Sequence, residues 1–170
     1  MPNIRIRFVR GTSIVSKLIL FCEKDGWATH CECELPEGGY LGAHIEDGVQ
    51  IRPFGYDSGL IDKEYFVNIP ATYDQANRYY DYARSQLGKP YGILTLAGYV
   101  SGTNWRNEGS WMCSELQAHC YEIAFGVQLA SGCNHLSPRD FLLILSAIVV
   151  IPDEGRRFAV NSESPFVGIA

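Results

Sequence analysis

The chain carries little that would send it to a polyanion, a membrane or the cell exterior. Lysine and arginine number 14 against 19 aspartate and glutamate, a formal charge of -5, so there is no basic field to gather nucleic acid or acidic lipid. The opening MPNIRIRFVRGTS alternates apolar and charged residues and lacks the continuous apolar stretch and small-residue cleavage site of an export signal. The longest apolar run, FLLILSAIVVI from Phe141 to Ile151, is too short to cross a bilayer and reads as core, so no integral membrane segment is expected. No repeat, low-complexity tract or linker divides the 170 residues, a length at which one domain buries a core without covalent staples. The six cysteines, Cys22, Cys31, Cys33, Cys113, Cys120 and Cys133, include no C-x-x-C pair. Without an export signal they are expected as reduced thiols, in the cytoplasm of a bacterium or of a phage-infected cell.

What is present is a series of short alternating segments followed by helical ones. IRIRFV (4 to 9) and ATHCECEL (28 to 35) alternate with period two, YLGAHI (40 to 45) and VQIRP (49 to 53) complete an antiparallel meander around the turns PEGG and EDG, and EYFVNIP adds a further strand. Helices are predicted after Thr12 through Ile14, Leu18 and Phe21, and between Thr72 and Leu87 on Tyr73, Ala76, Tyr80, Ala83 and Leu87 with Gly88 as C-cap. Further helical stretches follow over ILTLAGYV, from Cys113 to about Phe125 before Gly126, and from SPRDFLL, where a serine cap precedes proline at the first helical position. Strands first and helices after give an α+β domain, an antiparallel sheet packed against helices.

Cys113 in SWMCSELQAHC stands in the first turn of its helix, where unpaired backbone N–H groups and the helix dipole favour a thiolate and can face a developing oxyanion. The competing reading is a small buried residue that packs the helix onto the core. A nucleophile needs a base, and four histidines are available. His30 and Glu32 share one face of ATHCECEL, with Cys31 and Cys33 on the other, and His44 follows on the next strand, so the two imidazoles can approach across the PEGG hairpin. His119, nearly two turns along the helix, and His135, in a loop, are assigned surface or capping roles. CEC at 31 to 33 and CNH at 133 to 135 offer four zinc donors but not the spacing of a zinc knuckle, and no metal or other cofactor is expected. Cys120 lies about two turns from Cys113, too far for a direct disulfide.

Four segments taken in order, THCECELPEGGYLGAHIEDGVQIRP, QLGKPYG, WMCSELQAHCYE and LSPRDF, resemble the permuted NlpC-type papain-like cysteine peptidases, the YiiX/YaeF-like group, with the lecithin:retinol acyltransferase-like proteins as a related branch. The likeness runs from about Gly11 to Phe141, and the histidine strand preceding the cysteine helix is the permuted order. It implies a circularly permuted papain-like fold with Cys113 as nucleophile, His30 as general base and His44 in the region of the polar residue that orients the imidazole. Many relatives place a carboxylate in that region, so Glu32 is a rival, but His44 is preferred as the orienting residue because a partner on a neighbouring strand reaches the far ring nitrogen more easily than one on the same strand, and Tyr91 of GKPYG falls at the border of the cleft or in the core. The resemblance implies hydrolysis of a peptide-like amide, of cell-wall type, through an acyl-enzyme. Acyl transfer or hydrolysis on lipid-like amides or esters, and a non-catalytic module of a bacterial or phage assembly, are the alternatives. The sequence is silent on oligomeric state.

Overall fold

Alternation in NIRIRFVRG puts Ile4, Ile6 and Phe8 on one face and Arg5, Arg7 and Val9 on the other, and the segment forms strand β1 (Asn3–Gly11). The structure is a computed structural model that describes residues 2–12, 16–17, 27–95, 98, 109–129 and 136–150. Strands β2 (His30–Glu34), β3 (Tyr40–His44) and β4 (Gly48–Arg52) form the expected meander, and β5 (Ile61–Pro70) returns along the other edge of β1. The sheet is antiparallel throughout, in the order β4-β3-β2-β1-β5. With its helices it makes an α+β fold.

Helix α1 (Tyr73–Ser85) starts at a capping box, in which the Thr72 hydroxyl accepts from Gln75 N–H and the Gln75 side chain accepts from Thr72 N–H. Its buried side chains are Ala76, Tyr79, Tyr80 and Ala83. Tyr73 and Leu87, placed on the same face by their spacing, are exposed, Tyr73 at the first helical position and Leu87 beyond the Gln86 cap at which the helix closes. Gly88 therefore follows the cap and turns the chain at φ 80°. Helix α2 (Cys113–Phe125) begins and ends where its sequence predicts, closing on Gly126 at φ 65°. Helix α3 (Pro138–Val150) is longer than the short helix expected from SPRDFLL, since the apolar run continues it, and Ser137 caps its first turn through Asp140.

Helix α1 packs on α2, α2 lies across β2 and β3, and α3 reaches β5 and α2. Ile4, Ile6, Phe8, Cys31, Cys33 and Leu41 supply the sheet side of this core, each wholly buried, and Phe8 meets Phe141 with ring centroids 5.9 Å apart. The helix expected between Thr12 and Phe21 lies outside the described residues apart from Ser16 and Lys17, as do half of ILTLAGYV and Cys22, Cys133 and His135. Among the described residues no helix is long and apolar enough to cross a membrane.

Candidate active site

The start of α2 is clamped from three sides. Trp111 N–H donates to Pro90 O (3.1 Å), Gly92 N–H donates to Trp111 O (3.0 Å), and the Trp111 indole donates to Gln86 Oε1 (3.0 Å). One turn into the helix, wholly buried Gln117 donates to Leu41 O (2.9 Å) and accepts from the Tyr79 hydroxyl, which pins α2 to β3 and to α1. The Ser114 hydroxyl donates to Leu136 O, just ahead of α3, and Met112 N–H donates to the Glu115 carboxylate (3.3 Å). These ties hold Cys113, 2% exposed, against β2. There two neighbours, Cys31 and His30, set its ionisation.

His30 opens β2 and keeps 19% of its side chain accessible. Its Nε2 is 3.5 Å from Glu32 Oε2. His44 closes β3, its ring beside that of His30 at 4.9 Å between centroids and its own Nε2 3.9 Å from the same Glu32 oxygen. The carboxylate thus stands between the two imidazoles, nearer to His30. Glycine at position 42 makes this convergence possible, because a Cβ there would sit 2.9 Å from Glu32 Cβ and 3.5 Å from His30 Nε2. Gly42→Ala is accordingly expected to displace Glu32 and to cost about 1–3 kcal/mol of stability, read from urea unfolding. An unchanged midpoint would mean that the hairpin yields without strain.

Glu32 is wholly buried, and its placement comes from residues that the sequence pattern did not single out as functional. Arg7, opposite it across the β1–β2 ladder, donates to Oε1 at 2.7 Å, and the Tyr56 hydroxyl donates to Oε2 at 3.0 Å. Tyr56 and Asp57 belong to the turn segment between β4 and β5, which folds back over the outer face of the sheet. Arg7 also meets Asp57 (3.0 Å) and Glu64 (2.9 Å) and lies over the Tyr40 ring. The signal for Arg7 was the alternation of IRIRFVR, which sets it on the His30 face once β1 and β2 pair. No comparable pattern marks Tyr56 or Asp57.

These contacts set the ionisation of the site. For Cys113 a hydrogen bond from Cys31 is the largest influence. It outweighs burial and, with the charge and hydrogen bond of His30, holds the thiol well below its ordinary range. Burial alone would push His30 down, yet the charge and hydrogen bond of Cys113, with those of Glu32, raise it to about 10. Burial opposes ionisation of Glu32, and His30 and Arg7 overcome it and hold the carboxyl below the usual range. His44 goes the other way, lowered to about 3 by burial, then by the charges of His30 and Arg52. Cys31 is raised by burial and by Cys113, so it stays a thiol and serves as donor.

A cleft of about 290 Å³ opens beside the two rings, lined by Thr29, His30, Ala43, His44, Arg52 and Tyr91 among others. His119 lies on the far part of α2, 3.2 Å from Glu122 and edge-on to Trp111. His30, Glu32 and His44 place three ligand-capable atoms within 4.8 Å of one another. The arrangement therefore joins a thiol at a helix N-terminus, an imidazole held by a buried carboxylate, and a second, neutral imidazole beside a cleft.

No family model and no curated protein matches the chain. Among solved structures, the metalloprotein YiiX from Escherichia coli O157:H7 superimposes with a TM-score of 0.57 at 18% identity, over 76% of this chain and 69% of that one. That likeness is one of fold.

Proposed function

We propose that the protein is a cysteine-dependent hydrolase of the permuted papain-like type, cleaving a peptide-like amide through an acyl-enzyme on Cys113. One observation carries this reading: the thiol at the N-terminus of α2 and the His30 imidazole on β2, 83 positions apart in the sequence, are near enough for each to shift the other's ionisation. Cys113 Sγ adds to the carbonyl carbon while its own backbone N–H, unpaired in the first helical turn, faces the oxyanion. His30 gives its Nδ1 proton to the leaving amine as the C–N bond breaks, leaving a thioester. Water then loses a proton to His30 and attacks that thioester, releasing a carboxylic acid and the free thiol. Glu32, the nearer polar neighbour of His30 Nε2, holds the ring and balances its charge.

The first test is alkylation of chelator-treated protein with iodoacetamide at about pH 6, more than two units below an ordinary thiol's pKa of ~8.5. Peptide mapping is expected to find the label on Cys113, with His30→Ala abolishing that preference. Label spread evenly over the cysteines would sink the activated-thiol reading. Muropeptide amides and phospholipid or thioester donors, followed by product mass, separate hydrolysis from acyl transfer to another acceptor. Turnover of none of them would favour a binding module.

A further inference from the structure

His30 Nε2 and His44 Nε2 are buried, and neither reaches a hydrogen bond of good geometry among the described residues. Leaving such nitrogens unpaired costs on the order of 1–3 kcal/mol each, which calls for an explanation. Both are turned to Glu32 Oε2, at 3.5 and 3.9 Å. A tetrahedral ion with bonds of about 2.0–2.1 Å holds its ligands roughly 3.3 Å apart, so seating one ion would close the two carboxylate gaps by a few tenths of an ångström and draw the imidazole nitrogens, within 4.8 Å of each other, together by up to about 1.5 Å. The carboxylate has the capacity, since among the described residues Oε2 accepts a hydrogen bond of good geometry only from Tyr56 and Oε1 only from Arg7.

Charge favours a cation as well. Arg7 is faced by three carboxylates, Glu32, Asp57 and Glu64, which leaves the cluster negative. Arg52, the other cation near His44, is taken up by Asp47 at 2.6 Å. Two imidazoles and one carboxylate on a pair of adjacent strands suit a borderline first-row divalent ion, not calcium or magnesium, and the cleft leaves room for further ligands.

We infer that His30, Glu32 and His44 form a binding site for one divalent cation of the zinc class. The site does not depend on the thiol chemistry, but it uses the ring nitrogen that Glu32 otherwise holds. An imidazole bound through Nε2 keeps a single proton on Nδ1 and cannot accept another, so bound cation and base catalysis by His30 exclude each other.

The experiment is calorimetric titration of Zn²⁺ into the chelator-treated full chain, for the unaltered protein and for Cys113→Ala, His44→Phe and Glu32→Gln. One ion per chain is expected in the unaltered protein and in Cys113→Ala, with His44→Phe and Glu32→Gln each weakening binding by more than about 100-fold. His44→Phe keeps the ring volume, and near-UV circular dichroism checks that each variant is folded; either variant alone suffices. Absence of saturable binding, or His44→Phe binding as tightly as the unaltered chain, would overturn the site. With Co²⁺ in place of Zn²⁺, a visible spectrum lost in His44→Phe supports the ligand set, whereas a sulfur charge-transfer band lost in Cys113→Ala would overturn it. Because Cys113→Ala has no nucleophile, binding to it is read separately from the success or failure of the hydrolase proposal.

Discussion

Arg7→Leu is expected to cost about 3–5 kcal/mol of stability, the largest loss from any single polar substitution in this sheet. Leucine fills much of the arginine stem, so the penalty comes from charge and not from a cavity. Glu32, wholly buried, would lose the guanidinium at 2.7 Å, and Asp57 its partner at 3.0 Å. Arg5→Leu is the internal control. Its partner Glu34 lies on the same face at 2.9 Å, but Arg5 is 40% exposed, and water screens the pair to under about 1 kcal/mol. The double variant Arg7→Leu/Glu32→Gln should recover part of the loss, because it removes the orphaned charge together with its partner. Urea unfolding at neutral pH decides the matter. If Arg7→Leu costs no more than Arg5→Leu, the buried network does not hold Glu32 in place.

Glu32→Gln is expected to lower kcat/KM for hydrolysis of a p-nitrophenyl ester by about 10²–10⁴, with the loss in kcat. Glutamine keeps the shape and a hydrogen-bonding oxygen but removes the charge that stabilises an imidazolium in a buried setting. His44→Phe keeps a ring beside His30 and should cost less than about tenfold, since His44 is held neutral and reaches His30 by ring contact alone. Both are assayed in chelator-treated protein, so that any bound cation drops out of the comparison. A reversed order of effects would give the orienting role to His44, as the pairing of β2 with β3 had suggested. The hairpin pairs Cys33 with Leu41 and Glu34 with Tyr40, and beyond those pairs the two rings lie side by side, 4.9 Å between centroids. The acidic head reaches between them because Gly42, its cross-strand neighbour, has no side chain to fill the gap.

Periodicity sufficed for the elements that a single local rule decides. Period-two alternation marked β1 and β2, the turns PEGG and EDG set β3 and β4 beside them, and the helix that starts at Cys113 and stops at Gly126 is written in its own residues. Local rules were weaker where two signals competed at one helix end. Leu87 had the spacing to continue α1, yet the backbone capped at Gln86, and Gly88 served the turn that carries Lys89 O to Val49 N–H at 2.9 Å. A nearby glycine shows how such a turn constrains the partner strand. Gly48 lies at φ 76°, and a Cβ there would come within 2.2 Å of Lys89 O, so the close approach of β4 to this loop admits only glycine.

The sequence by itself determined the alternating faces of the strands, the thiol in a first helical turn, and the histidines that share a sheet face with an acid. Each follows from bond geometry within a few residues. It took the packing of separate elements to bring Cys31, on the strand face opposite His30, near enough to Cys113 to shift its ionisation, and to lay Tyr56 and Asp57 over the sheet so that Arg7 is buried with Glu32. Those pairings join residues 24 to 82 positions apart. They arise when separate elements pack, where the cost of burying a charge is met by whichever partner the fold brings near.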